Sequence, residues 1–280
     1  MVPASRRPAL IATALLLAAS PAPAQVSLTA DAGFFNAYVW RGVSLTNQFV
    51  AQPDLYLSVP AGGGSAVLGG WSSVDLGRYN SGGDLSEGGG VSSLDLTEID
   101  LWAEYGHPLG SSLAGTAGVV TYLFPNTAGL TNSANRTVEV YGKLQATGVP
   151  LAPKLAAWYD VDKVKGAYLE ASVGQAVSAI RGFPVTLGAL AGFSAGQGVN
   201  SSDPTQIANF AGNGFTHLDL SASGALAVGP VTIAPTVHFY VLNDPFTKVT
   251  RLGTTRDAKA WAGLTLTWSR PLTGVPTKSE

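Results

Sequence analysis

The stretch Leu94-Asp95-Leu96-Thr97-Glu98-Ile99-Asp100-Leu101-Trp102-Ala103-Glu104-Tyr105 decides the fold class. In it Thr97, Ile99, Leu101, Ala103 and Tyr105 alternate with Leu96, Glu98, Asp100, Trp102 and Glu104. A period of two puts these sets on opposite faces of a strand, whereas a helix would spread both around its cylinder. One face carries no charge and the other carries three carboxylates. The run is also long. Soluble sheets favour strands of about five or six residues, while a strand that crosses a bilayer needs roughly 9 to 11.

The same alternation recurs along the chain. Val138, Val140, Gly142, Leu144 and Ala146 oppose Thr137, Glu139, Tyr141, Lys143, Gln145 and Thr147. Val231, Ile233, Pro235, Val237, Phe239 and Val241 oppose Thr232, Ala234, Thr236, His238, Tyr240 and Leu242. Ala258, Ala260, Ala262, Leu264, Leu266 and Trp268 oppose Lys259, Trp261, Gly263, Thr265, Thr267 and Ser269. Clusters of Gly, Pro and Asn divide the chain into twelve predicted strands, at 26–41, 48–59, 65–76, 94–105, 112–124, 136–147, 154–162, 165–179, 184–194, 214–227, 231–242 and 257–269. Glycine and alanine blur the period at 65–76, 165–179 and 184–194, which leaves ten to fourteen as the range for the count.

The connections carry a second signal. Longer segments at 42–47, 77–93, 125–135, 195–213 and 243–256, with a tight hairpin at 162–165, alternate with short ones at 60–64, 106–111, 148–153, 180–183 and 228–230. Short turns on one rim and longer loops on the other mark a transmembrane β-barrel. The fold expected is therefore all-β, an antiparallel transmembrane β-barrel of about twelve strands. In a bilayer every strand must satisfy its backbone laterally, and only a closed barrel does so.

Composition agrees. Of 280 residues only 12% are charged, with 46% hydrophobic, 34 Gly and no Cys. Ordinary soluble domains carry roughly 25% charge, so this shortfall points to an apolar solvent around the outer face. The absence of Cys excludes a disulfide scaffold and a thiolate metal site. A formal net charge of −2 excludes a basic nucleic-acid-binding surface.

Residues 1–24 read as a signal peptide, with Arg6 and Arg7 as its basic region, an apolar run from Ala9 to Ala19, and Ala22-Pro23-Ala24 as the cleavage site. The barrel domain then runs over 25–280. Losing the two arginines leaves 14 basic against 18 acidic residues, or −4. The expected location is the outer membrane of a bacterium. Aromatic residues near predicted strand ends, namely Phe34, Phe35, Tyr38, Trp40, Tyr122, Phe124, Trp158, Tyr159, Phe239, Tyr240 and Trp268, are expected to form girdles at headgroup level.

The segment Tyr38-Val39-Trp40-Arg41-Gly42-Val43-Ser44, closing the first strand of a signal-bearing all-β chain, resembles the opening signature of the TorF-type porin family, a largely uncharacterised group of bacterial outer-membrane barrels. Gln52-Pro53, Glu98-Ile99-Asp100 and Tyr122-Leu123-Phe124-Pro125 are similar to later parts of that pattern. The resemblance covers the first half of the mature chain. It implies a pore-like outer-membrane barrel, with Tyr38, Trp40, Arg41 and Gly42 as the family-motif residues. Many such barrels end on an aromatic residue, whereas here the chain runs on from Trp268 through Ser269 to Glu280.

If the apolar face meets lipid, the alternate positions line the lumen. The pore-lining candidates are Glu98, Asp100, Glu104, Glu139, Lys143, Asp54, Asp160, Glu170, His217, Asp219, His238 and Lys259, with Asp31 and Lys154 on the same face and Arg41 near the mouth. Carboxylates in a low-dielectric pore attract cations and repel anions. Glu98, Asp100 and Glu104 form the densest group, on one face of one strand, and read as a selectivity patch. The function expected is passive passage of small polar solutes, cations among them, with lipid and these solutes as partners and no cofactor. One alternative is a barrel plugged by its own side chains. The other is a hydrolase built on His217, Asp219 and His238, which the Gly229-Pro230 turn brings onto adjacent strands. No serine stands in a nucleophile motif. His107, in a short turn, reads as solvated, and the Gly77 to Ser93 loop carries no phosphate-binding fingerprint. The polar loop 195–213 folds inward as a constriction or faces a partner; the sequence leaves both open.

Overall fold

The computed structural model describes residues 25–46, 48–76, 94–125, 136–177, 184–200, 202, 207–242 and 260–272. The signal-peptide expectation, Lys259 and the loops 77–93 and 243–256 lie outside the described residues.

Twelve staves close into an antiparallel barrel. They are β1 (Ser27–Phe35), β4 (Val50–Ala61), β5 (Gly64–Asp75), β6 (Asp95–Pro108), β7 (Leu113–Leu123), β8 (Arg136–Ala146), β9 (Lys154–Asp160), β10 (Ala167–Val177), β11 (Val185–Ala195), β12 (Gly214–Gly224) continued by β13 (Leu226–Val228), β14 (Val231–Leu242) and β15 (Ala260–Pro271). Each stave pairs with its neighbours in sequence, and β1 pairs with both β4 and β15, which seals the sheet on itself. The seam runs in register from Ser27 opposite Pro271 to Phe35 opposite Gly263. Closure leaves no free sheet edge, as an apolar solvent requires.

The alternation read from sequence is realised in space. Leu55, Leu68, Leu101, Val119, Val140, Leu155, Leu169, Leu187, Leu220, Val237 and Leu264 stand exposed on the outside, while the alternate positions turn inward and are buried or half-buried. Between β4 and β5 the chain turns in two residues, Gly62 and Gly63, both with positive φ (52° and 78°), the conformation that a tight hairpin demands. One irregularity resets the period. In the pairing of β11 with β12 the register shifts at Gly192/Phe193. Thr216 and His217 are consequently both buried, while Phe215 and Leu220 on either side point outward.

Glycine on the inner face makes room for aromatic rings on the next strand. Trp102 lies over Gly69, Tyr141 over Gly118 and Phe35 over Gly263, each directly opposite in the register. A β-carbon at any of these glycines would run into the ring, which is the packing logic of aromatic cover over a strand glycine.

Two expectations change. The predicted strand 26–41 ends at Phe35, and the motif segment forms a separate hairpin of β2 (Tyr38–Trp40) and β3 (Val43–Thr46), paired only with each other. Of the expected girdle, Phe34, Tyr159 and Phe239 are exposed on the outer face, as are Tyr105, Phe193 and Phe215. The girdle reading fails for Phe35, Tyr38, Tyr122, Trp158 and Tyr240, which are buried. Parity explains the failure: Tyr159 and Phe239 share the outward phase of their strands, and the neighbouring Trp158 and Tyr240 take the opposite one.

Candidate functional site

The β2–β3 hairpin leaves β1 at one rim and enters the barrel. Asn36 anchors its root on β15, donating its backbone N–H to Ala262 O (3.1 Å) and accepting the Ala262 N–H on Oδ1 (2.9 Å). From there the hairpin crosses the interior. The Tyr38 hydroxyl donates to Glu98 Oε2 on β6 (2.8 Å), and Arg41 reaches Glu139 on β8. These strands are not neighbours of β1, so the contacts span the lumen.

Arg41 makes a two-pronged bond to Glu139, with Nη1 donating to Oε1 (2.8 Å) and Nη2 to Oε2 (2.6 Å). Its guanidinium carbon lies 4.4 Å from the ring centres of Trp40 and Tyr168 and 5.2 Å from that of Trp158. Paired and stacked in this way, a buried guanidinium recovers much of the hydration it gives up. Glu139 is held from the wall as well. It accepts the Tyr122 hydroxyl on Oε2 (2.8 Å) and Gln197 Nε2 on Oε1 (3.5 Å). Gln197 also donates to Gly166 O (3.0 Å), and Phe210 stacks on Tyr168 with centres 5.8 Å apart. Gln197 and Phe210 of the loop 195–213 therefore turn inward, while Val199 and Ile207 stay exposed.

Gly42, at the tip, has a φ of 79°, and a β-carbon there would come within 2.5 Å of the His217 ring. Only glycine combines that conformation with that proximity. The His217 ring also lies beside the Thr216 hydroxyl, with Nδ1 3.1 Å from Oγ1.

The strand 94–105 carboxylates divide between two environments. Glu98 and Asp100 sit beside the hairpin, Asp100 with no accessible surface (0%). Glu104 accepts from Lys143 Nζ and from the Tyr141 hydroxyl, both at 2.8 Å, across the bare backbone of Gly118 on the intervening strand. Lys143 also lies 4.6 Å from the Tyr141 ring centre. Asp54 faces inward directly opposite Asp31, and Glu170 faces inward on β10. Asp160 is taken up by the rim. Its Oδ1 accepts the backbone N–H groups of Asp162, Lys163 and Val164 (2.9, 2.8 and 3.0 Å), and Oδ2 accepts the Thr137 hydroxyl. It caps the tight 162–165 turn.

His238 and Asp219 come together, Nδ1 to Oδ2 at 2.8 Å, while the imidazole stacks on Trp261 at 3.8 Å and 7°. His217 is not hydrogen-bonded to either. Ser221 stands opposite His238 in the register, yet no hydrogen bond joins them among the described residues. Nor do the described residues hold a group of three or more His, Asp or Glu able to ligate a metal.

Sequence reasoning missed Tyr168, Gln197 and Phe210, and it placed Arg41 at the mouth rather than deep inside. Tyr168 was open to detection, since it alternates with Leu169 on the inward phase. Gln197 and Phe210 sit in a loop with no period and offered no signal.

A closed antiparallel barrel, apolar outside and charged within, defines the class of outer-membrane β-barrels. The chain belongs to the family described as "Bacterial protein of unknown function (Gcw_chp)", whose model matches residues 18–210. It is similar to the COG4313 outer membrane channel from Pseudomonas putida F1, at 13% identity and a TM-score of 0.50 over 91% of this chain and 97% of that one. Similarity also extends to a KdgM porin, at 11% identity and a TM-score of 0.43 over 86% of this chain and 98% of that one. LpxR from Salmonella typhimurium gives 9% identity and a TM-score of 0.46 over 86% and 99%. At such identities the likeness concerns the fold. No curated protein matches the chain in sequence.

Proposed function

We propose that the chain is a porin-like channel of a bacterial outer membrane, passing small polar solutes with a preference for cations, and that the β2–β3 hairpin seated in its lumen is the constriction. The observation that carries this reading is the inner face. Within an apolar outer wall it gathers Asp31, Asp54, Glu98, Asp100, Glu104, Glu139, Glu170 and Asp219, against Arg41, Lys143 and Lys154. A barrel that served only as a scaffold has no need of so many carboxylates, each costly to hold out of water. Low-dielectric walls concentrate their field on whatever enters. The TorF-type resemblance of the motif and the signal-peptide reading of residues 1–24 support the same location and role.

With the hairpin in place the lumen beside it is filled, and on this reading the channel rests closed. Asp100 is 0% and Glu139 1% exposed, where a wall facing a water-filled pore would keep accessible surface. The barrel carries this occupant on its own first loop, so release means withdrawing Arg41 and Tyr38 from their carboxylates and unpacking Val39, Trp40 and Val43 from the wall. A non-conducting barrel is the rival reading, favoured by the same burial. The hydrolase alternative would need a nucleophile bonded to the Asp219–His238 pair; the reading proposed is a channel, not an enzyme.

Single-channel recording of the refolded barrel in a planar bilayer under a salt gradient tests this. Wild type is expected to be mostly silent with brief openings, and Arg41→Ala to open persistently with a reversal potential on the cation side. Adding Glu98→Gln, Asp100→Asn and Glu104→Gln should then move that potential towards zero. Silence from a correctly folded Arg41→Ala barrel would leave the non-conducting scaffold.

A further inference from the structure

We infer that Glu139, Tyr122, Trp158 and Tyr168 form a receptor for guanidinium-bearing solutes, and that Arg41 is its built-in occupant. The inference rests on reading the hairpin as the occupant of a lumen, and goes further by naming the chemistry of what replaces it. All four receptor residues belong to the barrel wall, on β7, β8, β9 and β10. Their arrangement is held without Arg41. Tyr122 donates to Glu139 at 2.8 Å, Trp158 and Tyr168 stand 5.9 Å apart, and Phe210 backs Tyr168. Arg41 arrives from a different element and contributes the ligand: a planar cation with two parallel N–H groups directed at one carboxylate and two wall rings against it.

That geometry selects by shape as well as by charge. The carboxylate accepts a two-pronged donor in its own plane, which a guanidinium supplies and a quaternary ammonium does not. The aromatic rings favour any cation, so a tetraalkylammonium gains the stacking alone. Urea keeps the planar paired N–H groups but has no charge, so it loses the charge assistance and the cation–π attraction. The expected order of binding is methylguanidinium, then tetramethylammonium, then urea. In wild type these solutes must compete with an arginine tethered nearby at high effective concentration, which makes apparent binding weak and couples it to hairpin release.

Isothermal titration of the detergent-folded Arg41→Ala barrel with methylguanidinium, tetramethylammonium and urea tests the site directly, without requiring conduction. Saturable methylguanidinium binding is expected, at least about tenfold weaker after Glu139→Gln is added, and absent for urea. If the alanine variant does not fold, Arg41→Met keeps the bulk of the side chain and is titrated in its place. No saturable binding by a folded variant, or equal binding with and without Glu139→Gln, would overturn the receptor. Binding by a barrel that never conducts would leave the receptor standing and remove only the channel.

Discussion

Gly42 is the residue on which the seat of the hairpin turns. Its φ of 79° already disfavours any side chain, and the His217 ring closes the space a β-carbon would need. Gly42→Ala is therefore expected to cost about 1–3 kcal/mol, read as a lower denaturation midpoint in detergent or as a hairpin that no longer seats. Combining it with His217→Ala should recover part of the loss by removing the ring's share of the clash, the His217 β-carbon at 2.8 Å remaining. Full recovery would mean that backbone strain contributes nothing, and no recovery would mean that the ring does not touch. At this scale the sequence was partly legible. Tyr38, Trp40, Arg41 and Gly42 stood out as a motif, but nothing local says that Arg41 ends beside a carboxylate 98 positions along the chain. Pairing of that kind is fixed by how staves far apart in sequence face one another across a closed barrel, which is a tertiary property.

Among elements, the strands were the most legible and their contents the least. The two-residue period survives wherever lipid imposes apolar character on one face, so the predicted 136–147 and 231–242 agree with β8 and β14 to within a residue. It does not say which aromatics turn inward, because Trp158 and Tyr159 are chemically alike as neighbours and only phase separates them. The sequence runs the motif into the first strand because a lone Asn36 is a weak break and the next glycine is Gly42. The phase argument makes a prediction at this scale. Leu101 lies on the outer face of β6 near its middle, and Leu101→Arg is expected to destabilise the barrel in phospholipid vesicles by about 2–4 kcal/mol. Thr265→Val, on the inner face of β15, should change the unfolding midpoint by much less. Equal effects would contradict the assignment of faces.

For the whole molecule, length, low charge and loop parity fixed the closed barrel, while the state of the lumen was invisible to them. A sequence shows that inward positions are polar; it does not show whether they meet water or one another. Closure adds a constraint on the order of events. The root of the hairpin is fastened at Asn36 to Ala262, on the last stave, and the ring of Phe35 lies over Gly263 one rung away. The root of the hairpin therefore has its own fastening only once the final strand is in place. During biogenesis an unsealed sheet would leave the root of the hairpin unfastened, and zipping the seam would fasten it in the same motion. A chain truncated before β15 would lose that fastening along with its wall.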